Sequence, residues 1–134
     1  MPSKRRARIF IIDDDPDDRG FIISALRDGG LADTFVEFEN GAVLSTHLHE
    51  NPENPPDVIL LDLNMPVKNG FETLRDLKKD SRLKSIPVII LSASTRKEDE
   101  IICFQEGCAH FLTKPLDMQG YRNIARFVQD AFLL

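Results

Sequence analysis

Reactive side chains stand directly behind the apolar runs of this sequence. Asp13, Asp14 and Asp15 follow residues 9–12, Asp62 follows 58–61, Ser92 follows 88–91, and Lys114 comes shortly after 109–112. Carboxylates gathered at one place repel one another and resist ionising together unless a cation intervenes. An all-oxygen donor set with no convergent His or Cys suits a hard divalent ion, most simply Mg2+, which keeps waters and tolerates a phosphate oxygen in its shell. A carboxylate beside such an ion and an ammonium group is suited to attack a phosphoryl donor and form an acyl phosphate. Lys114 and the metal would neutralise oxygens of the transferring group, and Ser92 would donate a hydrogen bond to another. No general base is required, because the nucleophile is already ionised.

Five elements of one kind and five of another must bring these residues together. The runs at 9–12, 35–38, 58–61, 88–91 and 109–112 are strand-sized. The first, third and fourth are continuously apolar, as parallel strands covered on both faces are. The partly alternating 35–38 run suits an edge. Helical periodicity fills the gaps and is clearest where Tyr121, Ile124, Ala125, Val128 and Phe132 form one stripe. Asp15 and Pro16 open the first helix, with Asp17 and Asp18 matching its dipole, and Gly29-Gly30 ends it. The second helix covers 42–49 and runs into an exposed Pro-rich loop. Asn69 caps a third helix carrying Phe71, Leu74 and Leu77. Thr95 to Glu98 reads as a capping box for a fourth, carrying Ile101, Ile102 and Phe104. Strand then helix, five times over, predicts a doubly wound α/β fold with a five-stranded parallel sheet and helices on both sides. Ligands in that architecture bind beyond the carboxyl ends of the strands.

The remaining composition narrows the possible tasks. A length of 134 residues fits one domain, read here as 1–134 with a basic leader at 1–7, and a formal net charge of −5 argues against nucleic-acid backbone binding. No segment is long and apolar enough to span a membrane. Cys103 and Cys108 match neither a redox pair nor a zinc knuckle and read, with Phe104 and Phe111, as interior residues in a reducing cytoplasm. His47, His49 and His110 read as structural. The plainest reading of Asp13 to Asp18 is an acidic loop that opens a helix, and Ser92 alone is as consistent with a strand end. Asp62 resists such a reading, since a charge closing a buried strand needs a partner.

Four segments in order, Ile11-Ile12-Asp13-Asp14, Leu61-Asp62-Leu63-Asn64-Met65-Pro66 with Asn69-Gly70, Leu91-Ser92-Ala93 and Thr113-Lys114-Pro115, make the chain resemble the receiver domains of two-component response regulators, chiefly the single-domain, chemotaxis-regulator-like ones. The resemblance implies a flavodoxin-like strand order 2-1-3-4-5 and Asp62 as phosphoacceptor. It implies Asp14 as a direct Mg2+ ligand, Asp13 acting largely through water, and the Asn64 backbone carbonyl completing the set. Ser92 is then the switch hydroxyl, Lys114 its charge partner and Phe111 the aromatic that rotates with the switch. The Lys114-Pro115 bond is expected to be cis, and Asn64 and Ser94 occupy variable positions that tune phosphoryl lifetime. The Asp triplet leaves a second register, Asp14 with Asp15. The preferred pair is Asp13 with Asp14, since Asp15 is better placed as a cap.

The resemblance also implies partners: a sensor histidine kinase or histidine phosphotransfer protein upstream and a protein target downstream. The target is met on the face formed by the fourth helix, fifth strand and fifth helix, by a monomer or a phosphorylation-dependent homodimer. Such a chain is a cytoplasmic signalling switch and not an enzyme. Three competing functions make distinct demands. A Mg-dependent phosphatase with an aspartate nucleophile wants a second Asp where this chain has Asn64, and a cap insertion that is missing. A flavodoxin-like cofactor binder wants a phosphate cradle where this chain has carboxylates. A phosphorylation-incompetent receiver serving only as a protein-binding module would be expected to have lost site residues, and all are present.

Overall fold

Five short strands, the three central ones too apolar to face water, pair side by side in the computed structural model, which describes residues 7–30 and 32–133. The elements alternate as β1 (Ala7–Ile12), α1 (Pro16–Gly29), β2 (Ala32–Phe38), α2 (Gly41–Glu50), β3 (Val58–Leu61), α3 (Gly70–Lys79), β4 (Val88–Ser92), α4 (Lys97–Gln105), β5 (His110–Thr113) and α5 (Met118–Val128). All strand pairs are parallel and their order is β2-β1-β3-β4-β5, as the resemblance implies. The leader's residues 1–6 lie outside the described part. Ala7, the last residue assigned to the leader from the sequence, is a buried residue of β1.

Alternation along each strand divides the core in two. Phe10, Ile12, Ile59, Leu61 and Ile90 meet Leu44, Leu74 and Cys103 from α2, α3 and α4. Ile9, Ile11, Leu60 and Ile89 meet Ile22 and Leu26 of α1 and Tyr121, Ala125 and Val128 of α5 on the opposite face. Each large side chain so removed from water contributes about 1.5–3 kcal/mol. A π-helical turn, Gln129–Leu133, extends α5, and the buried Gln129 amide donates to the Leu26 carbonyl at 3.1 Å, tying the extension to α1. Phe132, expected on the α5 stripe, packs against this second cluster from the turn. Among the described residues no helix is long and apolar enough to cross a membrane.

Helix starts follow the short polar residues that can replace missing backbone partners. The Asp15 carboxylate accepts from the amides of Asp17 and Asp18, and Asn69 and Glu72 form a reciprocal capping box on α3. Asn40, unnoticed in the sequence, caps α2 by accepting from Ala42 and Val43. The capping box expected at Thr95 to Glu98 is absent. Arg96 is the N-cap, without a side-chain bond, and Ser94 Oγ accepts the Arg96 amide at 3.2 Å instead. Nor is Phe104 interior: it is 47% exposed, beside Ile101 and Ile102, and Cys103 is the buried residue of α4. At the end of α4, Gly107 at φ 101 lets the Cys108 amide close on the Cys103 carbonyl at 3.0 Å. Both thiols are free and buried, as the sequence suggests, and desolvation pushes Cys103 up to about 12 and Cys108 to about 11. His47 is structural too, packed edge-on against Phe10 and Phe38 with its buried Nε2 unpartnered among the described residues.

Candidate functional site

The backbone ladder continues one residue past three strands and carries the reactive side chains with it. The Asp13 amide donates to the Phe38 carbonyl at 3.0 Å, the Asp62 amide to Ile12 at 2.9 Å and the Lys114 amide to Ser92 at 2.8 Å. Asp13, Asp62 and Lys114 are thereby fixed at one edge of the sheet before their side chains interact. The Lys114-Pro115 bond is not cis; no cis peptide occurs among the described residues. Backbone pairing of Lys114 with β4, rather than a cis bond, aims the lysine here.

Lys114 Nζ lies 2.8 Å from Asp13, 2.8 Å from Asp18 and 3.4 Å from Asp62. Asp62 also accepts the Leu63 amide at 2.8 Å, and Asp13 accepts that of Asp15 at 2.9 Å. Carboxylate oxygens of Asp13, Asp14 and Asp62 lie within 4.8 Å of one another, which fits an oxygen-loving divalent cation. Asp15 is occupied in capping α1, so the Asp13 and Asp14 register is the one the geometry favours. Asp14 is exposed, whereas Asp13 and Asp62 are buried.

Electrostatics in the pocket reflect this crowding. Desolvation raises the Asp13 carboxyl to about 6, Lys114 and the Asp15 amide pull the other way, and the charge of Asp62 adds to the rise. An ion pair alone would depress Asp13, so here burial and the second carboxylate outweigh the ammonium. For Lys114, burial disfavours the charge, but the hydrogen bonds to Asp13 and Asp18 and the charge of Asp62 lift it above the usual lysine range.

Ser92 ends β4 fully buried, its Oγ accepting the Ser94 amide at 3.2 Å. Phe111 is half-buried and packs against the α2/α3/α4 side of the core. Asn64 is exposed in the loop after β3. Asp18 is a pocket residue that the sequence reading misses, since it assigns Asp18 only to the helix dipole. The signal that could have found it is its place three residues after the Asp15 cap, because first-turn side chains point back toward the helix start. Beside Lys114 a hollow of about 300 Å³, lined by Asp18, Phe21, Leu116, Met118 and Tyr121, opens to solvent.

The β3–α3 loop carries a strained turn. The Lys68 amide donates to the Pro66 carbonyl at 2.7 Å across Val67, whose φ is 67. A three-residue turn with positive φ is rare, and for a β-branched residue it is a genuine outlier. The Val67 side chain is 85% exposed and offers little packing in return. Val67→Gly is therefore expected to stabilise the protein by about 1 kcal/mol, relief of strain exceeding the added freedom of the unfolded chain. Urea unfolding measures this, and a lower midpoint for the variant would contradict it.

Comparison with known proteins gives a consistent set of relatives. The family described as response regulator receiver domain matches residues 9–126. Protein PilH of Pseudomonas aeruginosa is 34% identical over 111 residues, covering 83% of this chain and 88% of PilH. Several other curated relatives are longer, and the chain spans 49% of one and 23% of another. Among solved structures, the phosphorylated cyanobacterial phytochrome response regulator RcpA superposes with a TM-score of 0.89 at 28% identity, over 96% of this chain and 95% of that one. The Mn2+-bound form of response regulator Rcp1 gives 0.85 at 26% identity, over 95% and 94%.

Proposed function

The chain belongs to the response regulator receiver family, and from that membership and the acidic pocket we propose that it is a phosphorylation-dependent switch with Asp62 as phosphoacceptor. The convergence of Lys114 with Asp13, Asp18 and Asp62 is the observation that carries this reading. Residues 1–134 act in it as one receiver unit. The Asp62 carboxylate attacks the phosphorus of a phosphohistidine or a small phosphodonor. An O–P bond forms as the bond to the leaving group breaks, and the departing imidazole takes its proton from solvent. Mg2+, held by Asp13, Asp14, Asp62 and the Asn64 carbonyl, would neutralise negative charge on the transferring group; the Mn2+-bound Rcp1 relative supports a divalent ion. Lys114 follows the phosphoryl oxygens, and Ser92 turns toward them as the switch hydroxyl.

Upstream, a histidine kinase or phosphotransfer protein presents its phosphohistidine over the apolar rim of Phe21, Leu116 and Met118, which adjoins the pocket through Asp18. Downstream, movement of Ser92 and repacking of Phe111 change the α4, β5 and α5 face, where Ile101, Ile102 and Phe104 already lie exposed. The output is contact with a protein target.

Intact-mass spectrometry after incubation with acetyl phosphate tests the acceptor chemistry. The expected result is a phosphoryl adduct on the wild type that requires Mg2+ and is lost in Asp62→Ala. An adduct that survives in Asp62→Ala places the chemistry elsewhere. A folded, metal-binding wild type that takes no adduct leaves a protein-binding module.

A further inference from the structure

The loop between β4 and α4 is held by three linked hydrogen bonds that the sequence does not reveal. The Ser94 amide donates to Ser92 Oγ at 3.2 Å, the Arg96 amide donates to Ser94 Oγ at 3.2 Å, and Ser94 Oγ donates to the Asp99 carboxylate at 2.5 Å. The chain of contacts runs from the fully buried Ser92 hydroxyl to the first turn of α4. The bond at its outer end has an ionised acceptor, the stronger class of hydrogen bond. Ser94 also stands in for the missing α4 cap by accepting the Arg96 amide, so its position is fixed from both sides.

We propose that Asp99 is a positioning residue that restrains the Ser92 switch, acting through Ser94 as a latch on the unphosphorylated conformation. This rests on the receiver reading above. Ser92 cannot rotate its hydroxyl toward a phosphoryl group on Asp62 while that oxygen remains the acceptor for the Ser94 amide at the present angle. Ser94 cannot follow Ser92 inward without leaving Asp99. Two local bonds must therefore yield together, and Asp99 sets how easily they do. The acidic first turn of α4 has a role beyond matching the helix dipole: Glu98 and Glu100 face Arg96 and Lys97, whereas Asp99 faces the loop.

Loss of one part-buried hydrogen bond from the resting state, taken at the ordinary strength of such a bond because solvent reaches it, shifts a two-state equilibrium by about fivefold. Asp99→Ala is accordingly expected to take up phosphoryl groups from acetyl phosphate about fivefold faster than wild type. Ser94→Ala should give a similar change, the double variant no more than either alone, and the exposed neighbour Thr95→Ala none. Asp99→Asn, which keeps an acceptor but no charge, should fall between and guards against a folding defect in Asp99→Ala. A second readout needs no phosphorylation or metal: in Asp99→Ala the Ser94 and Arg96 amides should exchange faster, and NMR couplings should show Ser92 sampling further rotamers. Unchanged uptake, exchange and rotamers in both Asp99 variants, or additive effects of Ser94→Ala and Asp99→Ala, would overturn the latch. A wild type that takes no phosphoryl group defeats the acceptor reading instead, and the exchange and rotamer data still decide whether Asp99 restrains Ser92.

Discussion

Gly70→Ala is expected to lower the unfolding free energy by about 3 kcal/mol, the upper end of ordinary overpacking, because its new methyl meets backbone and not a movable side chain. A Cβ at this position would stand 2.1 Å from the Asp62 carbonyl oxygen and 2.7 Å from Leu63 Cα. The Gly70 amide donates to the Leu63 carbonyl at 2.9 Å, so α3 cannot retreat from β3 without losing that bond. The clash also falls on the peptide of Asp62, the proposed phosphoacceptor, and the variant should lose phosphoryl uptake even where it still folds. Gly20→Ala is the control: a Cβ there meets nothing within 4 Å, and an alanine inside α1 should stabilise by about 0.5–1 kcal/mol. Urea unfolding followed by circular dichroism separates the two. A loss under about 1 kcal/mol at Gly70 would mean that the β3–α3 corner adapts freely.

Removing the ammonium from the pocket is expected to have a similar effect by a different route. In Lys114→Met, Asp13 and Asp62, whose side chains are 8% and 6% exposed, lose their shared cation. Breaking a buried ion pair from one side leaves uncompensated charge, a loss of about 3 kcal/mol near neutral pH without metal. The pH dependence has a definite sign. Asp13 in the folded protein titrates at about 6, above its ordinary value of 3.8, so between these values the native state binds more protons than the unfolded one. Metal-free stability therefore rises as pH falls from about 7 to about 5, already in the wild type. Lys114, with its affinity for a proton raised, contributes its stabilisation throughout this range and loses it only in strong base. In the variant the ammonium's lowering influence on Asp13 is gone, so the rise is larger and begins at higher pH. Added Mg2+ should recover most of the loss. Urea midpoints at both pH values, with EDTA and with Mg2+, test this, and equal midpoints for wild type and Lys114→Met would show that solvent already screens the cluster.

Much of this arrangement is legible in the chain because β1, β3 and β4 are buried on both faces and leave continuous apolar runs that few other structures explain. Residues just past the carboxyl ends of such runs gather at one edge of a parallel sheet, so Asp13, Asp62, Ser92 and Lys114 are legible as a group. Asp18 is not, since its partner Lys114 lies 96 residues away and local chemistry already accounts for an acidic residue there. The faces of α4 mislead for a related reason. Ile101, Ile102 and Phe104 are as apolar as core residues, and periodicity does not distinguish a face turned to the sheet from one left open. Spacing alone would start α4 at Thr95. The turn at Ser94, fixed by Ser92 and Asp99, decides the start instead, and that depends on where β4 ends.

The pocket draws on residues near both ends of the described chain, and each is anchored to a different strand's neighbour. No fragment or intermediate that lacks β5 brings Lys114 to Asp62. In the proposed function, competence to accept a phosphoryl group is thus a property of the assembled sheet, and a molecule without its last strand is expected to be mute. For the switch proposed above, errors of biogenesis would then lower the number of listeners without adding false messages.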